Sequence, residues 1–248
     1  MYRARVIPCL LLRGHGLVKT KRFADAVYIG DPVNAMRIFS EKEVDELVLL
    51  DIDASRTGSE PNYELIAEVA GECFMPVAYG GGVRSLEQVR RLIRSGVEKV
   101  VINSAAFESM DVITQAAQVF GSQAVVGGVD VRKSLLGSYK VVAKSATVET
   151  KVKLDDHLRR LVEAGVGEIL LNNVDRDGTM AGYDLDLIRH VSRIVTVPLV
   201  ACGGAGTVED LRAAVQEGGA SAVSAGSMFV FHGKRRAVLI NYPADLRL

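Results

Sequence analysis

The chain has 248 residues, of which 48% are hydrophobic and 24% are charged. This length suits one large α/β domain, and about 250 residues is typical of an eight-unit barrel. The 30 basic residues balance the 30 acidic ones, so net charge supplies no attraction to nucleic acid or to a membrane surface. We therefore expect neither of these as a partner.

Cysteine and histidine usage gives no sign of a metal or a cofactor. Metal-ligand spacing is absent among Cys9, Cys73, Cys202, His15, His157, His190 and His232. Each cysteine lies in or beside an apolar run, which predicts reduced, buried thiols. The N-terminal stretch lacks a small-residue cleavage signature, and no segment reaches the roughly 18 apolar residues of a spanning helix. The expected location is cytoplasmic.

Apolar and amphipathic segments alternate along the chain. Short apolar runs predict eight strands, near residues 5–11, 46–52, 76–79, 99–103, 123–130, 168–173, 198–201 and 221–226. Longer stretches of helical periodicity predict helices near residues 32–42, 61–72, 85–95, 109–119, 154–164, 184–194 and 207–217. Such strict alternation is typical of a (βα)8 TIM barrel or of an open doubly wound sheet.

The two halves of the chain resemble each other, which favours the barrel. At one constant spacing, Glu46 corresponds to Glu168 and Gly81–Gly82 corresponds to Gly203–Gly204. An open sheet gives no reason for a two-fold duplication, whereas two half-barrels explain it. We predict a single α/β domain over residues 1–248, a (βα)8 TIM barrel.

Two connections between these elements are long. One runs from Arg13 to Asp31 and is rich in glycine and lysine. The other runs from Lys133 to Lys153, and its alternating residues Tyr139 and Val141 suggest a small hairpin. Both follow strand C-termini, the face where barrels of this kind carry their active sites.

Two related glycine-rich loops predict phosphate binding on that face. Gly80–Ser85 and Cys202–Thr207 each join a strand to a helix, so an anion can approach backbone N–H groups and the positive helix N-terminus. A tight strand–helix turn needs glycine in any case, which is the alternative reading. Two such sites suit a substrate with a phosphate at both ends. The candidate phosphate-binding residues are Gly81, Gly82, Asn103, Ser104, Gly178, Thr179, Gly203, Gly204, Gly226 and Ser227.

Three ionisable residues near strand ends are candidates for chemistry. Asp130 ends an apolar strand, where burial raises a carboxyl pKa toward values useful in proton transfer. Asp177 lies in an Asp-Arg-Asp-Gly-Thr loop, and Lys19 lies in the first long connection. A capping role for Asp130, an Asx-type turn at Asp177 and a solvated Lys19 remain alternatives.

Leu11 occupies the position at which the internal symmetry predicts a second acid. The stretch Leu10–Arg13 aligns with Val129–Arg132, so Leu11 falls on Asp130. A proton-transfer site that needs one carboxylate from each half therefore has only one.

Four charged residues stand at the starts of strands, at the opposite end of the predicted barrel. They are Arg5, Glu46, Lys99 and Glu168. From the residues alone, a solvated rim is the simpler interpretation.

The chain resembles the cyclase subunit of imidazole glycerol phosphate synthase over nearly its whole length. The matching stretches are Val6–Leu10, Leu17–Lys19, Gly30–Pro32, Asp45–Leu47, Gly80–Gly82, Ile102–Ala106, Phe120–Gln123, Asp175–Thr179 and Gly203–Gly206. A sister isomerase of histidine biosynthesis shares the barrel and the phosphate loops, but Pro8–Leu10 and Gly182–Leu185 look like the cyclase.

This resemblance implies a partner, a glutaminase docked on the N-terminal face of the barrel. Ammonia released there crosses the barrel to a phosphorylated substrate, through a charged gate that falls on Arg5, Glu46, Lys99 and Glu168. The family's general acid and base are two aspartates, which fall on Leu11 and Asp130. The gate residues are all present here, whereas the first acid is replaced by leucine.

Other stretches look more like a divergent subgroup of cyclase-like proteins encoded with surface-polysaccharide genes. These stretches are Cys9–Leu12, Asn62–Pro76 and Phe229–Lys234. The subgroup implies that ammonia is passed on to amidate an acetamido sugar. Two hypotheses follow: an ammonia-conducting subunit without cyclase chemistry, and a cyclase subunit in which Asp51 or Asp177 supplies the missing acid.

Overall fold

The computed structural model of the protein describes residues 3–134, 137–233, 235–243, 246 and 248, so Lys234 of the stretch Phe229–Lys234 lies outside it. The strands are β1 (Arg5–Arg13), β2 (Gly16–Lys21), β3 (Ala24–Gly30), β4 (Leu47–Asp51), β5 (Val77–Gly80), β6 (Lys99–Ile102), β7 (Val125–Lys133), β8 (Tyr139–Ala143), β9 (Val148–Glu149), β10 (Glu168–Asn173), β11 (Leu199–Cys202), β12 (Ala222–Ala225), β13 (Phe231–His232) and β14 (Ala237–Val238). The α-helices are α1 (Pro32–Glu41), α2 (Ala54–Thr57), α3 (Tyr63–Gly71), α4 (Leu86–Arg94), α5 (Asp111–Phe120), α6 (Leu154–Ala164), α7 (Leu185–Ser192), α8 (Val208–Gln216) and α9 (Ser227–Val230). Two short 3-10 helices span Ser104–Phe107 and Ser122–Ala124.

Eight parallel strands close into a barrel, as predicted. Their order around the barrel is β1, β4, β5, β6, β7, β10, β11, β12, and β12 pairs again with β1. The two halves of the chain meet where β6 pairs with β7 and where β12 pairs with β1. A closed ring of strands excludes the open doubly wound sheet.

The internal duplication reappears in how two helices begin. The Ser85 hydroxyl accepts a hydrogen bond from the Gln88 backbone N–H, and the Gln88 side chain accepts one from the backbone of Ser85. Thr207 and Asp210 form the same reciprocal pair before α8. Such capping boxes satisfy backbone donors that lack partners inside the helix, so each glycine loop leads into a firmly fixed helix N-terminus.

The first long connection departs from the predicted loop. Residues 13–31 contain β2 and β3, and β2 pairs antiparallel with the end of β1. Leu17 and Val18 are buried, so apolar contact with the barrel stabilises strands in a stretch whose glycines and lysines suggested a loop. The hairpin predicted in the second connection is present, because β7 pairs antiparallel with β8 and β8 with β9.

A separate apolar cluster fills the barrel interior. It is distinct from the larger core between the strands and the helices. This packing of inward-pointing side chains in layers is usual for the fold. Its buried members are Ile7, Cys9, Leu11, Val18, Val48, Ala78, Val101, Val126, Leu170, Val200 and Ala222.

The cysteines are free thiols, but only Cys9 is fully buried, while Cys73 and Cys202 are half-buried. The prediction of three buried thiols is therefore wrong for two of them, which lie at the edges of their apolar runs. Within the described ranges, no helix combines the length and the apolar character needed to cross a membrane.

Candidate functional site

A cavity of about 320 Å³ opens at the C-terminal ends of the barrel strands. Both glycine loops, Lys19, Asp130 and Asp177 contribute to its walls. Of the residues predicted from the sequence for this face, Thr179 does not line the cavity, and its hydroxyl donates instead to the Arg176 carbonyl oxygen at 2.7 Å. The other residues predicted for this face thus come together around one cavity.

The glycine loops need glycine for steric reasons. Gly81 has φ +126°, and a Cβ atom there would lie 2.6 Å from the Asp51 carbonyl oxygen. Gly203 has φ +89°, and a Cβ atom there would lie 2.6 Å from Asn172 Oδ1. Both values are far inside van der Waals contact, so a side chain would displace the backbone that faces the cavity.

The other residues predicted to bind phosphate differ in how free they are to contact an anion. The Ser104 hydroxyl accepts a hydrogen bond from the Lys144 backbone N–H at 3.1 Å. Gly226 lies against the ammonium group of Lys19, where a Cβ atom would collide with it. Gly178 and Ser227 line the cavity as well.

Asp130 is the best placed acid for proton transfer. Its carboxylate accepts hydrogen bonds from Asn103 Nδ2 at 2.8 Å and from Asn172 Nδ2 at 3.3 Å. Burial raises the pKa of Asp130 to about 6, against the lowering effect of these two hydrogen bonds. A carboxyl group with such a pKa exchanges its proton readily near neutral pH.

Leu11 lies across the barrel from Asp130. It is buried, lines the same cavity and belongs to the apolar cluster of the interior. Its strand β1 and the strand β7 of Asp130 are separated by three strands on either side of the ring. The position opposite Asp130 therefore offers only hydrocarbon.

Asp177 and Lys19 are both engaged within the protein. The Asp177 carboxylate accepts a hydrogen bond from the Thr20 hydroxyl at 2.8 Å, and burial raises the pKa of Asp177. Lys19 is buried, and its ammonium group donates to the Cys9 carbonyl oxygen. These contacts tie the β2–β3 hairpin to the rim of the cavity.

Asp51 is a further carboxyl group at the cavity wall. Its Oδ1 atom accepts hydrogen bonds from the backbone N–H groups of Asp53 and Ala54, each at 3.0 Å. Burial raises the pKa of Asp51. It ends β4, beside β1, where Leu12 is its partner in the register.

The sequence did not reveal that the β8–β9 turn reaches over the cavity. The Ser145 hydroxyl donates to the Ile52 carbonyl oxygen at 2.6 Å, and Lys144 also lines the cavity. The predicted hairpin was the available signal, but its direction depends on contacts with residues far away along the chain.

The four charged residues at the other end of the barrel form a closed ring. Lys99 Nζ lies 2.8 Å from Glu46 Oε2 and 3.0 Å from Glu168 Oε2. Arg5 forms ion pairs with the same two carboxylates. Both glutamates are buried, so the solvated rim favoured by the residues alone is wrong.

The interior between this ring and the cavity is lined by the apolar cluster described above. Among the described residues, no group of three or more His, Cys, Asp or Glu side chains has a geometry that could hold a metal ion.

Comparison with known proteins assigns the family. The family model described as "Histidine biosynthesis protein" matches residues 5–235. A protein of Pseudomonas aeruginosa named "Putative imidazole glycerol phosphate synthase subunit hisF2" is 56% identical over 243 residues, which cover 98% of this chain and 97% of the relative. The chain belongs to the HisF family of histidine biosynthesis proteins.

Other HisF relatives match over nearly their full length. "Putative imidazole glycerol phosphate synthase subunit hisF3" of Vibrio vulnificus is 49% identical over 245 residues, which cover 98% of this chain and 94% of the relative. "Imidazole glycerol phosphate synthase subunit HisF" of Alkaliphilus metalliredigens is 40% identical over 232 residues, 94% of this chain and 92% of the relative. The HisF resemblance inferred from the sequence motifs is thus confirmed at the level of the family.

Proposed function

We propose that this HisF-family protein is the ammonia-receiving subunit of a glutamine amidotransferase. The single observation that carries the proposal is the ring of Arg5, Glu46, Lys99 and Glu168. Moving neutral ammonia into the apolar interior beyond the ring costs far less free energy than moving an ammonium ion or another charged species. In this proposal a glutaminase binds at the ring, and ammonia moves through the interior to the cavity.

The cavity provides two anion sites in this proposal. Gly81 and Gly82 with Asn103 and Ser104 form one, and the equivalent loop of the second half forms the other, with Gly203, Gly204, Gly226, Ser227 and Gly178. Each glycine loop precedes a capped helix N-terminus, and backbone N–H groups in that setting favour phosphate. A phosphorylated small molecule or sugar is the expected ligand.

The acceptor of the ammonia follows from Leu11. A site that divides general acid and general base catalysis between two carboxylates loses about 10²–10⁴-fold when one becomes a hydrocarbon. We propose that cyclase chemistry is lost and that the protein conducts ammonia to another acceptor. The resemblance of Cys9–Leu12 and Asn62–Pro76 to polysaccharide-associated proteins supports an acetamido sugar as that acceptor.

The second candidate is a working imidazole glycerol phosphate synthase subunit. The names of the relatives favour it, and Asp51 supplies a structural reason. This carboxyl group lines the same cavity, and burial raises its pKa. In that case Asp130 and Asp51 share the proton transfers.

One assay separates the two candidates. The purified protein is given ammonium salt and the histidine-pathway intermediate, and cyclised product is followed over time. If the protein conducts ammonia without cyclase chemistry, the unchanged protein should form no cyclised product. Leu11→Asp should then recover part of the cyclase activity, and Leu11→Asn should recover none. A turnover near 1 s⁻¹ in the unchanged protein, at the low end of ordinary enzyme rates, establishes the cyclase. Its loss in Asp51→Asn would then identify the substitute acid.

A further inference from the structure

Phe74 is an aromatic side chain held almost entirely in solvent. Its relative exposure is 98%. Aromatic residues of this size are usually buried, and exposed ones are concentrated at binding interfaces. A fully exposed phenylalanine therefore calls for an explanation.

The backbone at Phe74 is fixed, although its side chain is free. Its N–H donates to the Ser40 hydroxyl at 3.1 Å. On either side, the Cys73 thiol bonds the Val69 carbonyl oxygen at 3.3 Å and Met75 is buried. The backbone that carries the side chain is thus fixed before binding, so only the rotamer freedom of Phe74 itself is lost on binding.

Phe74 lies on the same face as the charged ring. It precedes β5, which pairs with β4 on one side and β6 on the other. Glu46 directly precedes β4 and Lys99 begins β6. The segment that carries Phe74 therefore lies between the N-terminal ends of the two strands to which these ring residues belong. Ile38, near the end of α1, is also partly exposed, and the Arg37–Glu72 ion pair of 3.0 Å lies beside this segment.

A groove of about 390 Å³ on the same face borders the ring from another side. Arg5, Val195, Val197 and Pro198 are among its lining residues. The groove also contains Ser192 and Thr196, so its surface is mixed in polarity. A partner that covers the ring could contact this groove on one side and Phe74 on another. Aromatic residues, phenylalanine among them, are enriched in protein–protein interfaces relative to the rest of the surface.

We infer that Phe74 is the principal anchor for the glutaminase subunit, inserting into an apolar pocket of that partner. The inference rests on the proposed function, because it takes the glutaminase as the occupant of the ring face. A second copy of this chain is the competing occupant, and the experiment below distinguishes the two.

The test measures the dissociation constant between this protein and the class I glutaminase of the same organism by calorimetry. Phe74→Ser is expected to weaken binding about 10- to 100-fold, the range of an interface hot spot, while Phe74→Leu retains most of the affinity. Tyr28→Ser is the matched control, because Tyr28 is an exposed aromatic residue, 65% exposed, on the hairpin at the opposite end of the barrel. It should bind like the unchanged protein.

Three outcomes overturn specific parts of this reasoning. Unchanged protein that binds no glutaminase contradicts the proposed function itself. Binding that Phe74→Ser leaves intact contradicts the anchor alone. Concentration-dependent dimers of the isolated chain in sedimentation, abolished by Phe74→Ser, assign the surface to a second copy. Because Phe74 packs against almost nothing, unchanged thermal stability of the variant confirms that affinity and not folding was altered.

Discussion

Removing Lys99 from the charged ring tests whether the four charges act as one buried network. Lys99→Met keeps most of the side-chain volume but removes one of the two cations that pair with Glu46 and Glu168 among the described residues. The glutamate side chains are 4% and 7% exposed and Lys99 is 19% exposed. Breaking a buried pair by removing one partner typically costs about 3–5 kcal/mol. Since Lys99 retains some contact with solvent, we expect a loss of about 2–4 kcal/mol.

Urea unfolding at neutral pH measures this loss. Arg159→Met is the matched control, because Arg159 pairs with Asp156 at 3.2 Å and both side chains are more than half exposed. Exposed pairs contribute about 0–1 kcal/mol, so the control should be nearly neutral. Combining Lys99→Met with Glu168→Gln restores a balanced ring, and the double variant should lose less than the sum of the two single changes.

A Lys99→Met loss no larger than that of Arg159→Met would refute the buried network. The ring would then consist of ordinary surface pairs. Lys99→Ala also tests whether glutamine hydrolysis is coupled to product formation. In the complex with this variant, the glutaminase should release ammonia from glutamine without a matching amount of product. The folded variant should still bind the glutaminase.

Further predictions concern pH and the glycine loops. Asp130 has a folded pKa of about 6 against an ordinary value of 3.8, so the unfolding free energy should fall as pH rises from about 4 to 6. Asp130→Asn should remove the contribution of Asp130 to that fall in urea titrations at several pH values. Burial lowers the pKa of His157 to about 4 from 6.5. The contribution of His157 to the free energy of unfolding therefore falls as pH drops from about 6 to 4. His157→Leu should abolish that fall. Asp51 and Asp177 also have pKa values raised by burial, so the readout is the difference between each variant and the parent. A variant whose unfolding free energy depends on pH just as the parent's does would contradict the assignment for that residue. Gly81→Ala should destabilise the protein by about 1–3 kcal/mol and eliminate any rise of Tm with added phosphate; a retained rise would place the anion elsewhere.

The strands and most helices could be predicted because the pattern of apolar and polar residues that identifies them is local in the sequence. α6 has the predicted bounds, 154–164, and β10 has the predicted 168–173. The β2–β3 hairpin could not be predicted in the same way. Its strands are stabilised by pairing with β1 and by burial of Leu17 and Val18, which are tertiary contacts that override the local signal of glycine and lysine.

The candidate site was predictable where backbone geometry dictates the residue type. A strand–helix turn with positive φ demands glycine, so Gly81 and Gly203 were visible in the sequence. The hydrogen bond from Ser145 to the Ile52 carbonyl oxygen could not be predicted from the sequence. The residues around a loop hydroxyl do not indicate which distant group it will contact. The chain therefore reveals the frame of the cavity but not the hairpin turn that reaches over it.

The barrel explains why the internal duplication is informative at both ends. Equivalent positions of the two halves lie on strands separated by three others around the ring, so Glu46 and Glu168 face each other across the axis. Two facing carboxylates are stable only with cations between them, which Arg5 and Lys99 supply. The same symmetry sets Leu11 opposite Asp130 at the other end. On the β1 side of the cavity Leu11 supplies no carboxylate, whereas all four charges of the ring are present. In the proposed function, the chemistry of the cavity has therefore changed while the entrance for ammonia has been kept.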